Sequence, residues 1–248
     1  MYTRITAHSG CEGTDRDCLE SIDRALDAGA DAIEIDVRLS PSGELRVSHN
    51  ELTEEEYKEK PLVKDAFARI QNTALMVNCD LKEQKALYPL LALAKEYGLN
   101  KDRLILTGCA SPETLIRDPK LVEQAQVFLN FEEVVKYYYI ARLGTEAISQ
   151  MEKFLDHSWD VIRAHQELLD ADCIAYLLGI CKRLGAAGVN TNLQTVNPAF
   201  AAACQQADVP LSVWTVKVPE EQAKPMFDLN VWNITTIWPV AVKAIRGC

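Results

Sequence analysis

The amino-acid sequence predicts an α/β chain folded as a single-domain TIM (β/α)8 barrel. Three observations lead there. Short apolar runs of strand length alternate with helical segments about eight times, which is the pattern of a parallel sheet with crossover helices. The 248 residues match the roughly 250 that a closed eight-unit barrel takes. No G-x-G-x-x-G turn follows the first strand, as a doubly wound dinucleotide fold would have. Reactive side chains recur at the carboxyl ends of the predicted strands, where such barrels carry function. No internal repeat, low-complexity linker or domain boundary is visible, so residues 1–248 read as one unit.

The elements follow in order. Residues 2–8 read as a strand ending at His8, and Ser9–Thr14 as a glycine-containing loop. Asp17–Ala28 reads as a helix, with Leu19, Ile22 and Leu26 at helical spacing and Gly29 as the stop signal. Asp31–Val37 is the second strand. Pro41-Ser42-Gly43 is a turn, and Glu44–Ser48 is an extended run that delivers His49. Residues 50–71 are acidic, then helical. Ala74–Lys82 is a strand, Lys85–Tyr97 a helix, Arg103–Thr107 a strand, Pro112–Gln124 a helix and Gln126–Asn130 a strand. Residues 131–170 read as largely helical, including Tyr137-Tyr138-Tyr139 and a helix from Thr145 to about Asp156. Ala171–Leu184 is a helix, Ala187–Thr191 a strand, Pro198–Ala207 a helix and Leu211–Val216 a strand. Pro219–Asp228 is a helix opened by proline. Asn233–Thr236 is the last strand, and a short helix follows Pro239.

Composition narrows the function. The chain carries 26 basic and 36 acidic residues, a net charge of −10. That argues against nucleic acid, whose phosphates are met by basic patches, and against an anionic membrane surface. The longest uncharged stretch, Gly185–Ala207, is broken by Asn, Gln, Thr and Pro, so no stable membrane insertion is expected. The eight cysteines form no C-x-x-C pair, which argues against zinc. The amino-terminal residues enter a strand with no signal-peptide core. The expectation is reduced thiols in a cytoplasmic protein. Its oligomeric state is not given.

The second strand carries the chemistry. Side chains alternate across a strand, so Ile33, Ile35 and Val37 share one face and Ala32, Glu34 and Asp36 the other. Taken alone, this is either an edge strand with a solvated acidic face or a buried strand whose carboxylates meet a cation. Asp80 and Lys82 fall at the end of the third barrel strand. Three carboxylates packed together would raise one another's pKa. An oxygen-liganded cation, Mg2+ or Ca2+, removes that cost. Lys82 could neutralise part of the charge, hold a substrate oxygen or form a surface ion pair with Asp80. His8 and His49 flank the acidic strand, and a histidine pair beside a cation suits acid–base work on a phosphodiester. One would deprotonate the attacking hydroxyl and the other protonate the leaving oxygen. His157 and His165 read as structural or surface residues. Cys11 stands in the loop after His8, and Trp238 stands where it could reach the mouth.

At these residues the chain resembles the glycerophosphodiester phosphodiesterase family. The resemblance is carried by His8-Ser9-Gly10, Leu19-Glu20-Ser21-Ile22, Ala28-Gly29-Ala30-Asp31-Ala32-Ile33-Glu34-Ile35-Asp36-Val37, Ser42-Gly43 and Val47-Ser48-His49-Asn50. Asn78-Cys79-Asp80-Leu81-Lys82 is similar to the family's acidic-x-Lys motif, and Val213-Trp214-Thr215-Val216 to its late W-T-V strand. The resemblance implies a metal-dependent TIM barrel that splits a glycerophosphodiester, a small-molecule substrate, into glycerol 3-phosphate and an alcohol. The neighbouring glycerol hydroxyl would be the internal nucleophile. It also implies His8 and His49 as the acid–base pair, Glu34, Asp36 and Asp80 as ligands of Mg2+ or Ca2+, Lys82 on the phosphate and Trp214 lining the substrate site.

The chain departs from the family pattern at several points. Ser9 stands where an Arg follows the first His, and Arg16 is a candidate replacement. Asp17 stands for Asn, Asn50 for Asp, Lys217 for Asn and Thr236 for Asp. The short segment between His49 and Asp80 implies a reduced cap insertion. Two rival readings follow: a phosphodiesterase of the same fold acting on another phospholipid-derived diester, and a degenerate barrel that binds a diester without turning it over.

Overall fold

The computed structural model describes residues 2–135, 138 and 169–246. Among them are nine strands: β1 (Arg4–Ala7), β2 (Ala32–Leu39), β3 (Leu45–Val47), β4 (Met76–Leu81), β5 (Leu104–Gly108), β6 (Gln126–Asn130), β7 (Gly188–Asn192), β8 (Leu211–Val216) and β9 (Asn233–Thr236). Eight are parallel neighbours in the order β1-β9-β8-β7-β6-β5-β4-β2, and a pairing of β1 with β2 closes the ring. The result is the closed (β/α)8 barrel expected from the alternation.

The exception is β3, which pairs antiparallel with the upper part of β2, Val37 opposite Val47 and Leu39 opposite Leu45. The run Glu44–Ser48 is therefore a hairpin arm, not a stave. The turn before it is too short for a parallel crossover, which takes a dozen or more residues. β2 thus does two jobs. Its lower half pairs with β1 through Thr6–Ala32 and Ala7–Ile33, while its upper half overhangs the mouth and carries the hairpin that ends at His49.

Local signals explain the helices. Thr53 caps Glu54–Lys58 in a reciprocal capping box with Glu56. Pro112, Pro198 and Pro219 open their helices, the first two after Ser111 and Asn197 caps. Ala171–Leu184 begins at the Asp170 cap and ends at Gly185, which takes the left-handed conformation at φ 68. The helix expected over Pro112–Gln124 is two helices, Pro112–Arg117 and Leu121–Gln124. Pro119 lies between them and disfavours helical geometry at Asp118. Residues 131–135 are helical. Tyr137, Tyr139, the helix from Thr145 to Asp156, His157 and His165 lie outside the described residues.

The apolar core lies between the strands and the helix ring. Ile33, Ile35 and Val37 point into it, and all are 1% exposed or less. Phe131 and Phe200 pack there with ring centroids 5.7 Å apart. The lower barrel interior is polar instead: Thr6 Oγ1 donates to Asn233 Oδ1 at 2.7 Å, and Asn233 Nδ2 donates to Ser212 Oγ at 3.0 Å. Among the described residues, Cys11, Cys18, Cys79, Cys109, Cys173, Cys181 and Cys204 form no disulfide, and no helix is long and apolar enough to cross a membrane.

Candidate active site

Strand register builds the acidic centre. Glu34 lies opposite Asn78 and Asp36 opposite Asp80 across β2 and β4, and Asp80 lies opposite Thr107 across β4 and β5. One ligand oxygen from each of Glu34, Asp36 and Asp80 can be chosen so that all lie within 4.8 Å of one another. β2 is paired on both sides, and Glu34 and Asp36 are 6% and 1% exposed. The solvated edge strand is thereby ruled out.

Charge inside the triad is partly met by side chains. Lys82, one residue past β4, places Nζ 2.8 Å from Asp36 Oδ1 and 2.5 Å from Asp80 Oδ2. It is a bridge between two strands, not a surface pair. Arg16 Nη2 takes the other Asp36 oxygen at 2.9 Å. Burial alone would raise the Asp36 pKa, but Lys82, followed by Arg16, outweighs it and holds the carboxyl below its usual value. The same carboxylates, against burial, push the Lys82 ammonium above its usual value. Among the described residues Glu34 has no lysine or arginine contact; Glu34 Oε2 accepts from the Ser9 N–H at 3.2 Å and lies 3.9 Å from His8 Nδ1. Burial, then Asp36 and Asp80, raise it well above the ordinary glutamate range.

The oxygen donor set and spacing fit a hard divalent cation, whose ligands sit about 2.0–2.6 Å from the ion. Three carboxylates face two cationic side chains, Lys82 and Arg16, and buried Asp36 Oδ1 has no hydrogen bond among the described residues, so the cluster has room for further positive charge. Gly108 makes the packing possible. At φ +67 it passes so close to β4 that a Cβ would overlap the Leu81 carbonyl oxygen and Asp80 Oδ1. Thr107 Oγ1 donates to the same Asp80 oxygen at 3.1 Å.

Both histidines stand at the mouth. His8 follows β1 by one residue. Its Nδ1 lies 2.7 Å from the Ser9 carbonyl, which can only accept, so Nδ1 carries a proton and, in the neutral ring, Nε2 has the lone pair. Burial, reinforced by Arg16 and Lys82 and opposed by the Ser9 carbonyl and Asp36, lowers the His8 pKa. That direction favours the neutral ring, the form a general base needs. His49 is placed through its backbone: His49 N–H donates to Asp17 Oδ2 at 3.1 Å, and its carbonyl accepts from Arg38 Nε at 3.0 Å. Asp17 also receives Lys60 Nζ at 3.8 Å, and its own N–H donates to Ser9 Oγ at 2.8 Å. One buried aspartate thus ties the segment behind His8 to the segment that carries His49.

These groups line a cleft of about 360 Å³ that also takes in Asn78, Thr107, Asn130, Asn190, Trp214 and Lys217. All seven residues singled out in the sequence, His8, Glu34, Asp36, His49, Asp80, Lys82 and Trp214, face it together. Cys11 does not line it; its Sγ donates to the Ser21 carbonyl inside the core. Trp238 does not line it either and is 38% exposed on the rim. The neutral wall of Asn78, Thr107, Asn130 and Asn190 was not anticipated. The signal was present, since Asn78 shares the inward face of β4 with Asp80.

A barrel whose mouth holds an acidic triad, a bridging lysine and two histidines has the groups that metal-assisted hydrolysis of a phosphoric diester needs. The family model described as "Glycerophosphoryl diester phosphodiesterase family" matches residues 8–177, and the chain belongs to that family. A glycerophosphodiester phosphodiesterase of Bacillus altitudinis is 41% identical over 248 residues, covering 98% of both chains. The uncharacterized protein YqiK of Bacillus subtilis (strain 168) is 30% identical over 105 residues, 42% of this chain and 43% of that one. Solved structures share the fold. The glycerophosphodiester phosphodiesterase of Thermotoga maritima superposes with a TM-score of 0.69 at 17% identity, covering 99% of each chain. An Oleispira antarctica phosphodiesterase in complex with its product sn-glycerol-3-phosphate does so with 0.68 at 14% identity, covering 99% of this chain and 97% of that one.

Proposed function

We propose that the chain hydrolyses glycerophosphodiesters to glycerol 3-phosphate and an alcohol, with a divalent cation, Mg2+ or Ca2+, held by Glu34, Asp36 and Asp80. The observation that carries this reading is the convergence of those three carboxylates in one cleft with His8 and His49. Family membership supports the reaction.

The residues divide the work. His8, neutral and with Nε2 unprotonated, takes the proton from the glycerol hydroxyl next to the phosphate as that oxygen attacks phosphorus. His49 gives a proton to the departing alcohol oxygen. A cyclic phosphodiester results, and water opens it with the two histidines in exchanged roles. Lys82 holds a phosphoryl oxygen and Trp214 bounds the space for the alcohol. The bound cation supplies Lewis-acid stabilisation of the phosphoryl charge. The short segment between His49 and β4 holds two small helices, Glu54–Lys58 and Val63–Ile70, which supports a single barrel domain with a reduced cap. We also infer a cytoplasmic setting, supported by the seven free cysteines among the described residues.

The test is steady-state hydrolysis of a panel of glycerophosphodiesters. His8→Ala and His49→Ala each abolish turnover while circular dichroism and melting stay near wild type, and EDTA abolishes it until cation is restored. Undiminished turnover in either variant overturns the assigned mechanism. Tight cation binding by the wild type with no turnover of any diester favours the degenerate barrel.

A further inference from the structure

Both oxygens of Asp36 are engaged by cationic side chains, but the two partners differ. Lys82 is shared with Asp80, and its side chain is 19% exposed. Arg16 has Asp36 as its one hydrogen-bond and ion-pair partner among the described residues, and its side chain is 45% exposed. The arginine reaches in from the rim to a carboxylate that is 1% exposed. Its stem is held: the next residue, Asp17, is tied to Ser9 and to His49. Among the described residues only Asp36 anchors the guanidinium.

A divalent cation on Asp36 competes for the same oxygens with two charges against one. With a cation on Asp36 Oδ2, Lys82 would still have Asp36 Oδ1 to pair with, whereas Arg16 would be displaced and has no second partner among the described residues. It is then a planar fork of donors at the mouth of the cleft, the group best matched to paired phosphoryl oxygens. Charge agrees. A divalent cation together with Lys82 and Arg16 exceeds the three carboxylates by one positive charge, and a phosphodiester carries one negative charge.

We propose that Arg16 is an exchangeable ligand that pairs with Asp36 in the cation-free protein and binds the phosphoryl group of the substrate in the cation-loaded protein. This rests on the phosphodiesterase reading. It gives Arg16 effects of opposite sign on two affinities. While it holds Asp36 it opposes the cation, and once released it attracts the phosphate.

Isothermal titration calorimetry on the full chain, stripped with EDTA and dialysed, tests it. Mg2+ and then Ca2+ are titrated into wild type, Arg16→Gln and Arg16→Lys, and glycerol 3-phosphate is titrated into each cation-saturated protein. Arg16→Gln binds the cation more tightly, by roughly tenfold for the loss of one charge-assisted bond, and glycerol 3-phosphate more weakly by a similar factor. Arg16→Lys keeps the charge without the fork and recovers part of the phosphate affinity. Cation affinity in Arg16→Gln equal to or below wild type, or unchanged glycerol 3-phosphate affinity, overturns the exchange. Wild type binding neither cation nor glycerol 3-phosphate overturns the phosphodiesterase reading instead. Melting curves confirm that the variants, altered at a half-exposed side chain, are folded.

Discussion

Substituting Gly108 by alanine tests whether the acidic centre depends on backbone clearance. Two costs separate cleanly. The first is conformational: Gly108 sits at φ +67, and an L-residue there loses about 1–2 kcal/mol. The second is contact. The new Cβ overlaps the Leu81 carbonyl oxygen and Asp80 Oδ1, both belonging to β4, which is paired on its other side with β2. Overpacking of this kind costs about 1–3 kcal/mol. Gly98 provides the control, since at φ +68 it has nothing within 4 Å of the same Cβ position. Gly98→Ala therefore carries the first cost alone. Thermal melts of the two variants should differ by roughly 2–12 °C, at about 2–4 °C per kcal/mol for a chain of this size. Calorimetry with Mg2+ or Ca2+ should show Gly108→Ala weakened about 10–100-fold, as when a supporting contact of a ligand is lost, and Gly98→Ala unchanged. Equal melting temperatures and equal cation affinities for the two variants would refute the reasoning.

Asp17→Ala removes the acceptor of the His49 N–H and should cut kcat about 10–100-fold with a smaller change in KM, as expected for losing a charged hydrogen bond worth about 1.5–3 kcal/mol. Asp17→Asn keeps an oxygen in place and should restore most of that loss, so equal defects in the two variants would count against a positioning role. Glu34 has a raised pKa in the folded cation-free protein, so it opposes folding as pH rises above the ordinary glutamate value of about 4.3. Glu34→Gln should therefore raise the melting temperature of EDTA-stripped protein at pH 8, not at pH 4, and should lose the stabilisation that added cation gives wild type. Asp36 has the opposite sign: its lowered pKa contributes stability above about pH 4 that is lost as pH falls through the folded value. In Asp36→Asn the acid limb of a stability–pH profile should be correspondingly flatter.

Much of this was legible in the chain because two periodicities carry it. Alternation along Ala32–Val37 separates the residues facing the helices from Glu34 and Asp36, and the same alternation places Asn78 and Asp80 together. Proline and capping residues mark where Pro198–Gln206 and Pro219–Asp228 begin. What sequence spacing does not hold is which strand lies beside which. Glu44–Ser48 looked like another extended run, and only its pairing makes it a hairpin arm. Lys82 read equally as a surface partner of Asp80, and its second contact, to Asp36, depends on the β2–β4 register. Arg16 and Asp17 carry no periodic signal. Their roles come from a loop that folds back over the mouth, a tertiary fact that local pattern does not encode.

The carboxylates and histidines of the cleft all come from three consecutive staves, β1, β2 and β4, and the hairpin that β2 carries. Asn130, Asn190 and Trp214 come from β6, β7 and β8 on the other side of the ring. In the proposed mechanism, the reactive groups and the lining for the alcohol therefore lie on separate arcs of one wall. On that reading, drift, or a designer, could recut the second arc for a new alcohol while the first arc goes on with the same reaction.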